Sequence, residues 1–421
     1  MAGTEQLRRE LEAALPERPF ELELWDGTRV PATERGATTF RARSKDAAAH
    51  ILRAPGQLGI GRAYVSGALE PDDIDAALEL LDEWKPPPID RATRLRLALA
   101  AARACGPMRP PPVPEAELRP RGKRHSMRRD ARAVRHHYDL PPEFFALILG
   151  EELTYSCALF TQGATTLEEA QEAKLDMVCR KLDLQAGQRV LDVGCGWGSF
   201  AIHAAERHDV RVLGITLSEP QAAVAQRRVR ERGLADRVEI RVADYRELQD
   251  DPFDAIASIG MVEHVGSSQI DVYAQQLARA LRPGGRLLNH GIARMRTGDP
   301  EAGPFSERYV FPDGAPLHLS RIQLAIERAG LVTDHVEGLH GNYEVTLGHW
   351  ARRLDERLDE AVRLAGPERV RVWRLYLRTA RRGFESGFIS VYQVRASRPG
   401  APQAAPRAEA APVREREPAP A

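Results

Sequence analysis

The sequence is poor in cysteine, has no long apolar run and carries no surplus charge of either sign. Its four cysteines, at 105, 157, 179 and 195 of 421 residues, include no CxxC pair, which argues against a disulfide framework and structural zinc. No apolar stretch approaches the ~20 residues that a bilayer-spanning helix needs. The opening MAGTEQLRREL is polar and charged, unlike a signal peptide, so the chain is expected to be cytoplasmic. Sixty Lys and Arg balance sixty Asp and Glu; no global field gathers nucleic acid, and any electrostatic targeting must be local. The adjacent His136 and His137 face apart with no carboxylate cluster beside them, so no metal site is expected.

What is present is a globular composition, 43% hydrophobic and 29% charged, over a length that suits a large domain and a smaller companion. Residues 1–105 read as a small α+β domain. FELELWDGTRV, from Phe20 to Val30, alternates about an Asp26-Gly27 hairpin turn, and helical patterns follow near 45–53, 74–84 and 90–104. Residues 106–136 read as a linker, proline-rich at 107–120 and then basic, with eight Lys and Arg between Arg119 and Arg135 against the single Asp130. That run is either a solvated linker or a patch for anionic headgroups. Without interleaved aromatics it does not suit nucleic acid.

Residues 137–397 carry an α/β pattern. Thr166-Leu-Glu-Glu169 is a capping box opening a helix to about 184, and strand-like runs occupy 188–193, 210–215, 238–243, 253–259, 285–290, 331–337 and 388–395. Helical patterns separate most of them. The expected fold is a doubly wound, seven-stranded Rossmann-like sheet with its final strand at an edge. The tail 398–421, rich in Pro, Ala and charge, is expected to be disordered.

The chemistry concentrates after the first of these strands. QRVLDV runs into Gly194-Cys195-Gly196-Trp197-Gly198 and then a helix; such glycines let the backbone turn sharply and a nucleotide approach closely. A lone GxG is shared with NAD-binding folds. Here Asp192 stands two before the first glycine, and Ser199 replaces the glycine a dinucleotide fingerprint places three after Gly196. The second strand ends Thr216-Leu217-Ser218 with Gln221 beyond and no acidic residue, and the third ends Asp244-Tyr245-Arg246, with Asp244 placed for an adenine amino group. Leu281-Arg-Pro-Gly-Gly285 reads as a turn into the fifth strand. In register, these features point to S-adenosyl-L-methionine. Cys105, Cys179 and Cys195 read as packing residues.

Further segments carry a resemblance. His137-Tyr-Asp-Leu140, Tyr155-Ser156-Cys157-Ala-Leu-Phe160, the glycine loop, Gly214-Ile-Thr-Leu-Ser218, Met261-Val-Glu-His264, Leu288-Asn-His-Gly-Ile292, Tyr309-Val-Phe-Pro312, Asn342-Tyr-Glu-Val-Thr-Leu347 and His349-Trp350 together resemble cyclopropane-fatty-acyl-phospholipid synthases and mycolic acid cyclopropane synthases. The resemblance covers residues 137–394, and PGQLGIGRAYVSGALEPDD is similar to the module preceding the phospholipid-acting members. It implies transfer of a methyl(ene) group from S-adenosyl-L-methionine to the double bond of a membrane phospholipid's unsaturated acyl chain, forming a cyclopropane fatty acid. The enzyme would sit peripherally at the inner face of the membrane, and a homodimer is a further implication. Tyr155 and Ser156 would join the cofactor contacts. Methyl addition leaves a carbocation that aromatic faces stabilise, with Tyr309, Phe311 and Trp197 as expected lining. Ring closure needs a base, and the resemblance implies bicarbonate held by Cys157, Glu263, His290, the backbone of Ile292 and Tyr343. Glu263 would orient His290 or accept the bicarbonate proton, and His264 beside it reads as structural.

Two departures stand out. Gly291 lies where many members have threonine, and RTARRGFESGFISVYQV lacks the cysteine that some members carry there. Other outcomes stay open: proton loss to a methylene, precursor of a methyl-branched chain; a soluble small-molecule methyltransferase; or a non-catalytic lipid-binding protein.

Overall fold

The computed structural model describes residues 2–400 apart from 108, 120–121, 139, 299–302 and 315, with only the backbone at 131 and 134–136. The tail expected to be disordered lies, from 401 onward, outside the described residues.

The alternation around Asp26-Gly27 produces a hairpin. Strand β1 (Phe20–Glu23) pairs antiparallel with β2 (Arg29–Val30), setting Leu22 opposite Val30, and Gly27 takes φ 85 in the turn. Strands β3 (Thr38–Ala42) and β4 (Leu69–Pro71) complete a four-stranded sheet in the order β2-β1-β3-β4. The expected helices form at Asp46–Arg53, Ile74–Glu83 and Arg91–Cys105. A further helix, Gln57–Val65, escaped the sequence reading because Gly59 and Gly61 weaken its propensity. Packing requires both: a Cβ on Gly59 would strike the carbonyl of Ala54, and one on Gly61 would lie 2.5 Å from the Phe305 ring.

The larger sheet contains β5 (Arg189–Val193), β6 (Arg211–Thr216), β7 (Val238–Val242), β8 (Phe253–Ile259), β9 (Leu281–Arg294), β10 (Val332–Gly338) and β11 (Ile389–Ser397). Its order is β10-β11-β9-β8-β5-β6-β7, with β5 to β9 parallel and β11 antiparallel to both neighbours. The final strand is therefore not at the edge. It inserts between β9 and β10, burying Val391, Gln393, Val394 and Ala396, and leaves the alternately exposed β10 outermost. The glycines before Arg286 are also not a free turn. Residues 282–285 bulge within β9 opposite Asp254 of β8.

The helix Leu167–Leu182 begins at Thr166 with both reciprocal bonds of the capping box. The stretch read as a linker is pinned. Glu117 is buried, paired with Arg62 through two bonds of 2.7 Å, and Met127–Tyr138 is a helix. Of the basic run, Arg124 and Arg129 both donate to Asp313, across the chain. No helix among the described residues is long and apolar enough to cross a membrane.

Candidate active site

After β5 the chain passes to β6 on one side of the sheet, and after β8 to β9 on the other. The ends of β5 and β8 therefore border a crevice of the kind in which doubly wound sheets hold ligands. Gly194, Gly196 and Gly198 turn there at φ 80, 54 and 84, a region where side chains are strained. Asp192 is 2% exposed, and its Oδ2 has no partner among the described residues. Burial raises its carboxyl to about 7, opposed by the nearby Lys174 cation. Lys174 is itself 1% exposed, donates to Ser156 Oγ at 2.8 Å, and is lowered to about 8 by burial.

Tyr155, Ser156, Asp192, Gly194, Cys195, Gly196, Trp197 and Gln221 line this pocket, as expected of cofactor contacts. Gly198, Thr216, Leu217, Ser218, Asp244, Tyr245 and Arg246 are outside its lining. Thr216 and Ser218 contact its lining residue Gln221. Thr216 Oγ1 donates to Gln221 Oε1 at 2.9 Å, and Ser218 caps the helix Glu219–Glu231. Asp244 accepts from the Arg246 guanidinium at 2.6 and 2.8 Å, and Arg246 reaches on to Asp130 at 2.9 Å. Tyr245 packs edge-on against Tyr273 at 5.5 Å.

A mainly apolar cavity of about 540 Å³ adjoins the pocket, and Tyr138, Tyr155, Ser156 and Gly260 border both. Cys157, Glu263, His290, Ile292 and Tyr343 all line it, although they come from four separate segments. Ile292 N donates to Glu263 Oε1 at 3.3 Å, while Glu263 Oε2 has no partner among the described residues. Burial raises the Glu263 carboxyl to about 7 and the Cys157 thiol to about 12. It holds the Tyr343 hydroxyl well above its usual range. Burial lowers His290 to about 3, helped by Lys174 and Lys181. Near neutral pH the thiol and phenol are thus protonated, the imidazole is neutral, and the carboxyl is close to half-protonated.

This geometry can be set against known proteins. Residues 125–394 match the family model described as mycolic acid cyclopropane synthetase. The chain belongs to that family. Relatives of this family member extend over nearly its whole length. A probable fatty acid methyltransferase of Pseudomonas putida is 39% identical over 90% of this chain and 92% of its own. The cyclopropane-fatty-acyl-phospholipid synthase of Escherichia coli K12 is 33% identical over 85% and 87%. Among solved structures, the mycolic acid cyclopropane synthase CmaA1 complexed with SAH and CTAB superposes with TM-score 0.61 at 33% identity, covering 64% of this chain and 98% of that one. This cyclopropane synthetase family member is thus an S-adenosylmethionine-dependent methyltransferase with the Rossmann-like fold.

Some expected roles move. Tyr309 does not line the cavity; its hydroxyl donates to Glu117 at 3.0 Å, fastening the 106–136 stretch, whereas Phe311 does line it. Trp197 belongs to the cofactor pocket, packed against Phe145 at 4.6 Å. Glu263 does not orient His290, whose Nδ1 lies 3.0 Å from the side-chain amide nitrogen of Gln393. His264 lines the cavity, lowered to about 4 by burial and therefore uncharged. The sequence reading missed Lys174, although the signal was there: a lysine on the same helix face as Leu167, Ala170, Val178 and Leu182. It also missed the hydroxyl chain of Tyr155 to Tyr376 and His137, each link 3.1 Å long, which no local pattern announces. Among the described residues no cluster of metal-ligating side chains forms.

Proposed function

We propose that this enzyme transfers a methyl group from S-adenosyl-L-methionine to the double bond of an unsaturated acyl chain of a membrane phospholipid and closes a cyclopropane ring. The single observation carrying this reading is that Tyr138, Tyr155, Ser156 and Gly260 border both the cofactor pocket and a mainly apolar cavity whose lining includes Cys157, Glu263, His290 and Tyr343. An alkene is a weak nucleophile, so the site must supply alignment and exclude water. The apolar walls do both. The cation left by methyl addition would lie among Tyr138, Tyr155, Phe311 and Tyr376, whose ring faces favour positive charge.

The last proton needs an acceptor. Cys157, Tyr343 and the neutral His290 are hydrogen-bond donors gathered in one place, and Lys174 lies within electrostatic reach of Cys157 and His290. That donor set fits a small oxyanion. Bicarbonate, when bound, supplies the base. Glu263, with one oxygen fixed by Ile292 N and the other without a partner among the described residues, is placed to share a proton with it. The acyl chain would be taken from the inner face of the membrane, the exposed part of the basic run meeting anionic headgroups.

A second reading, proton loss to a methylene, is favoured by one observation: the Pseudomonas putida relative is described as a probable fatty acid methyltransferase. Purified enzyme, methyl-labelled S-adenosylmethionine and vesicles of monounsaturated phospholipid separate the two. A labelled fatty ester that gains CH₂ and survives hydrogenation as a ring supports cyclopropanation, and one that takes up hydrogen supports the methylene. Unlabelled lipid would sink both. Turnover that rises with added bicarbonate, and falls when it is stripped, tests the base.

A further inference from the structure

His290 needs a defined proton. A neutral imidazole carries one N–H, and a ring that donates to an oxyanion must carry it on the nitrogen facing that anion. Which nitrogen this is depends on what the other one meets, and that partner lies behind the site. Register places Gln393 of β11 directly opposite His290 of β9, and both side chains are buried, at 0% and 2% exposure. The Gln393 amide nitrogen lies 3.0 Å from His290 Nδ1. On its other side, Gln393 Oε1 accepts from Lys181 Nζ, and Lys181 also pairs with Glu337 of β10.

Side-chain amides can be placed either way round, so the orientation has to follow from the partners. Here it does. An ammonium has donors only, so the amide must turn its oxygen to Lys181 and its NH₂ to His290. Nδ1 must then accept, and the imidazole proton is left on Nε2. We propose that Lys181 and Gln393 are positioning residues that fix His290 as the Nε2–H tautomer, with Nε2 serving the cavity as a hydrogen-bond donor. Glu337 holds Lys181 from the surface side, so the chain of contacts runs from the rim of the sheet to the reacting groups. The proposal deepens the reading of the cluster as a base site and rests on it for its catalytic consequence, though not for the tautomer.

The test uses full-length enzyme with ¹⁵N-labelled histidine, the His290 signals being identified by their loss in His290→Ala. In the wild type, long-range proton–nitrogen correlation is expected to show Nε2 protonated and Nδ1 bare. Gln393→Glu puts an acceptor behind the ring, moves a proton to Nδ1, and lowers kcat on the order of 100-fold with the KM for S-adenosylmethionine unchanged. Lys181→Met frees the amide to turn, so both tautomers appear with a smaller fall in kcat, and Lys181→Arg restores both readouts. A wild-type proton on Nδ1 overturns the proposal. So does a Gln393→Glu enzyme with unchanged tautomer and kcat. Should that variant fail to fold, Lys181→Met decides at its more exposed site: one unchanged tautomer with unchanged kcat overturns it. If the wild type transfers no methyl to alkenes, the reading of the function fails while the tautomer result stands apart from it.

Discussion

Glu263 holds a carboxyl where ionisation is disfavoured, and this gives stability a pH dependence with a definite sign. Its folded value, about 7, is raised from 4.5 by burial. Below 4.5 the group is protonated in both states and carries no penalty; as pH rises towards 7 the unfolded chain ionises first and stability is lost. Glu263→Gln should therefore match the wild type in acid and exceed it at pH 8 by up to about 3 kcal/mol, while turnover collapses and cofactor affinity holds. Thermal melts across pH in bicarbonate-free buffer check the first part, and a melt difference that does not grow with pH would refute it. Gly291 belongs to the same scale. A Cβ there would run into Val262 and lie 3.2 Å from Glu263 Oε2. Gly291→Ala is expected to cost about 1–3 kcal/mol and to displace the Glu263 turn, so kcat falls before cofactor binding does. The open question of Gly291 in the sequence becomes a steric one: the residue lets β9 lie close against the turn carrying the carboxylate.

Among the elements, the helix Met127–Tyr138 connects the two halves of the site. Asp130 takes the Arg246 guanidinium that also grips Asp244, Tyr138 borders both pockets, and Arg129 together with Arg124 holds Asp313 beyond Phe311. Asp313 has φ 65, a backbone that asparagine tolerates, so Asp313→Asn removes charge with little added strain. Loss of the charge-assisted bonds should cost about 1.5–3 kcal/mol and raise the KM for lipid more than that for S-adenosylmethionine; vesicle assays with each substrate varied in turn test it. Element types were legible wherever a local rule decided them. The capping box at Thr166 and the hairpin at Asp26-Gly27 are such cases. The Gln57–Val65 helix was not, because two glycines lower its propensity and one of them, Gly61, answers to Phe305, a residue far away in the chain.

At the scale of the whole molecule, the cavity is not the property of one domain. Ile60, Tyr64, Ile74 and Leu78 of the amino-terminal module line it together with Phe305 and Tyr376. The two parts are tied by Arg378 to Asp75 at 2.9 Å, by Arg371 to Glu70 at 3.2 Å and by the Arg62–Glu117–Tyr309 group. Filling the module's side of the cavity should thus change which acyl chains are accepted. Ile60→Trp is expected to lower turnover of the longest chains about tenfold relative to shorter ones, with cofactor affinity unchanged. Product analysis from vesicles of mixed chain length measures this, and an unaltered product distribution would mean that the acyl chain does not reach the module.

The sequence by itself determined what short-range rules govern: the strand–glycine–helix unit of the cofactor pocket and the seven strand runs. Those depend on spacing and backbone conformation within a few residues. Only the tertiary structure decided that β11 enters the sheet between β9 and β10, because strand order depends on which faces the other strands leave to be buried. The same insertion sets Gln393 behind His290, while packing elsewhere brings Lys174 to Ser156 and turns Tyr309 away from the cavity. These are contacts between residues 18 to 192 positions apart, and no local pattern encodes a partner at that distance.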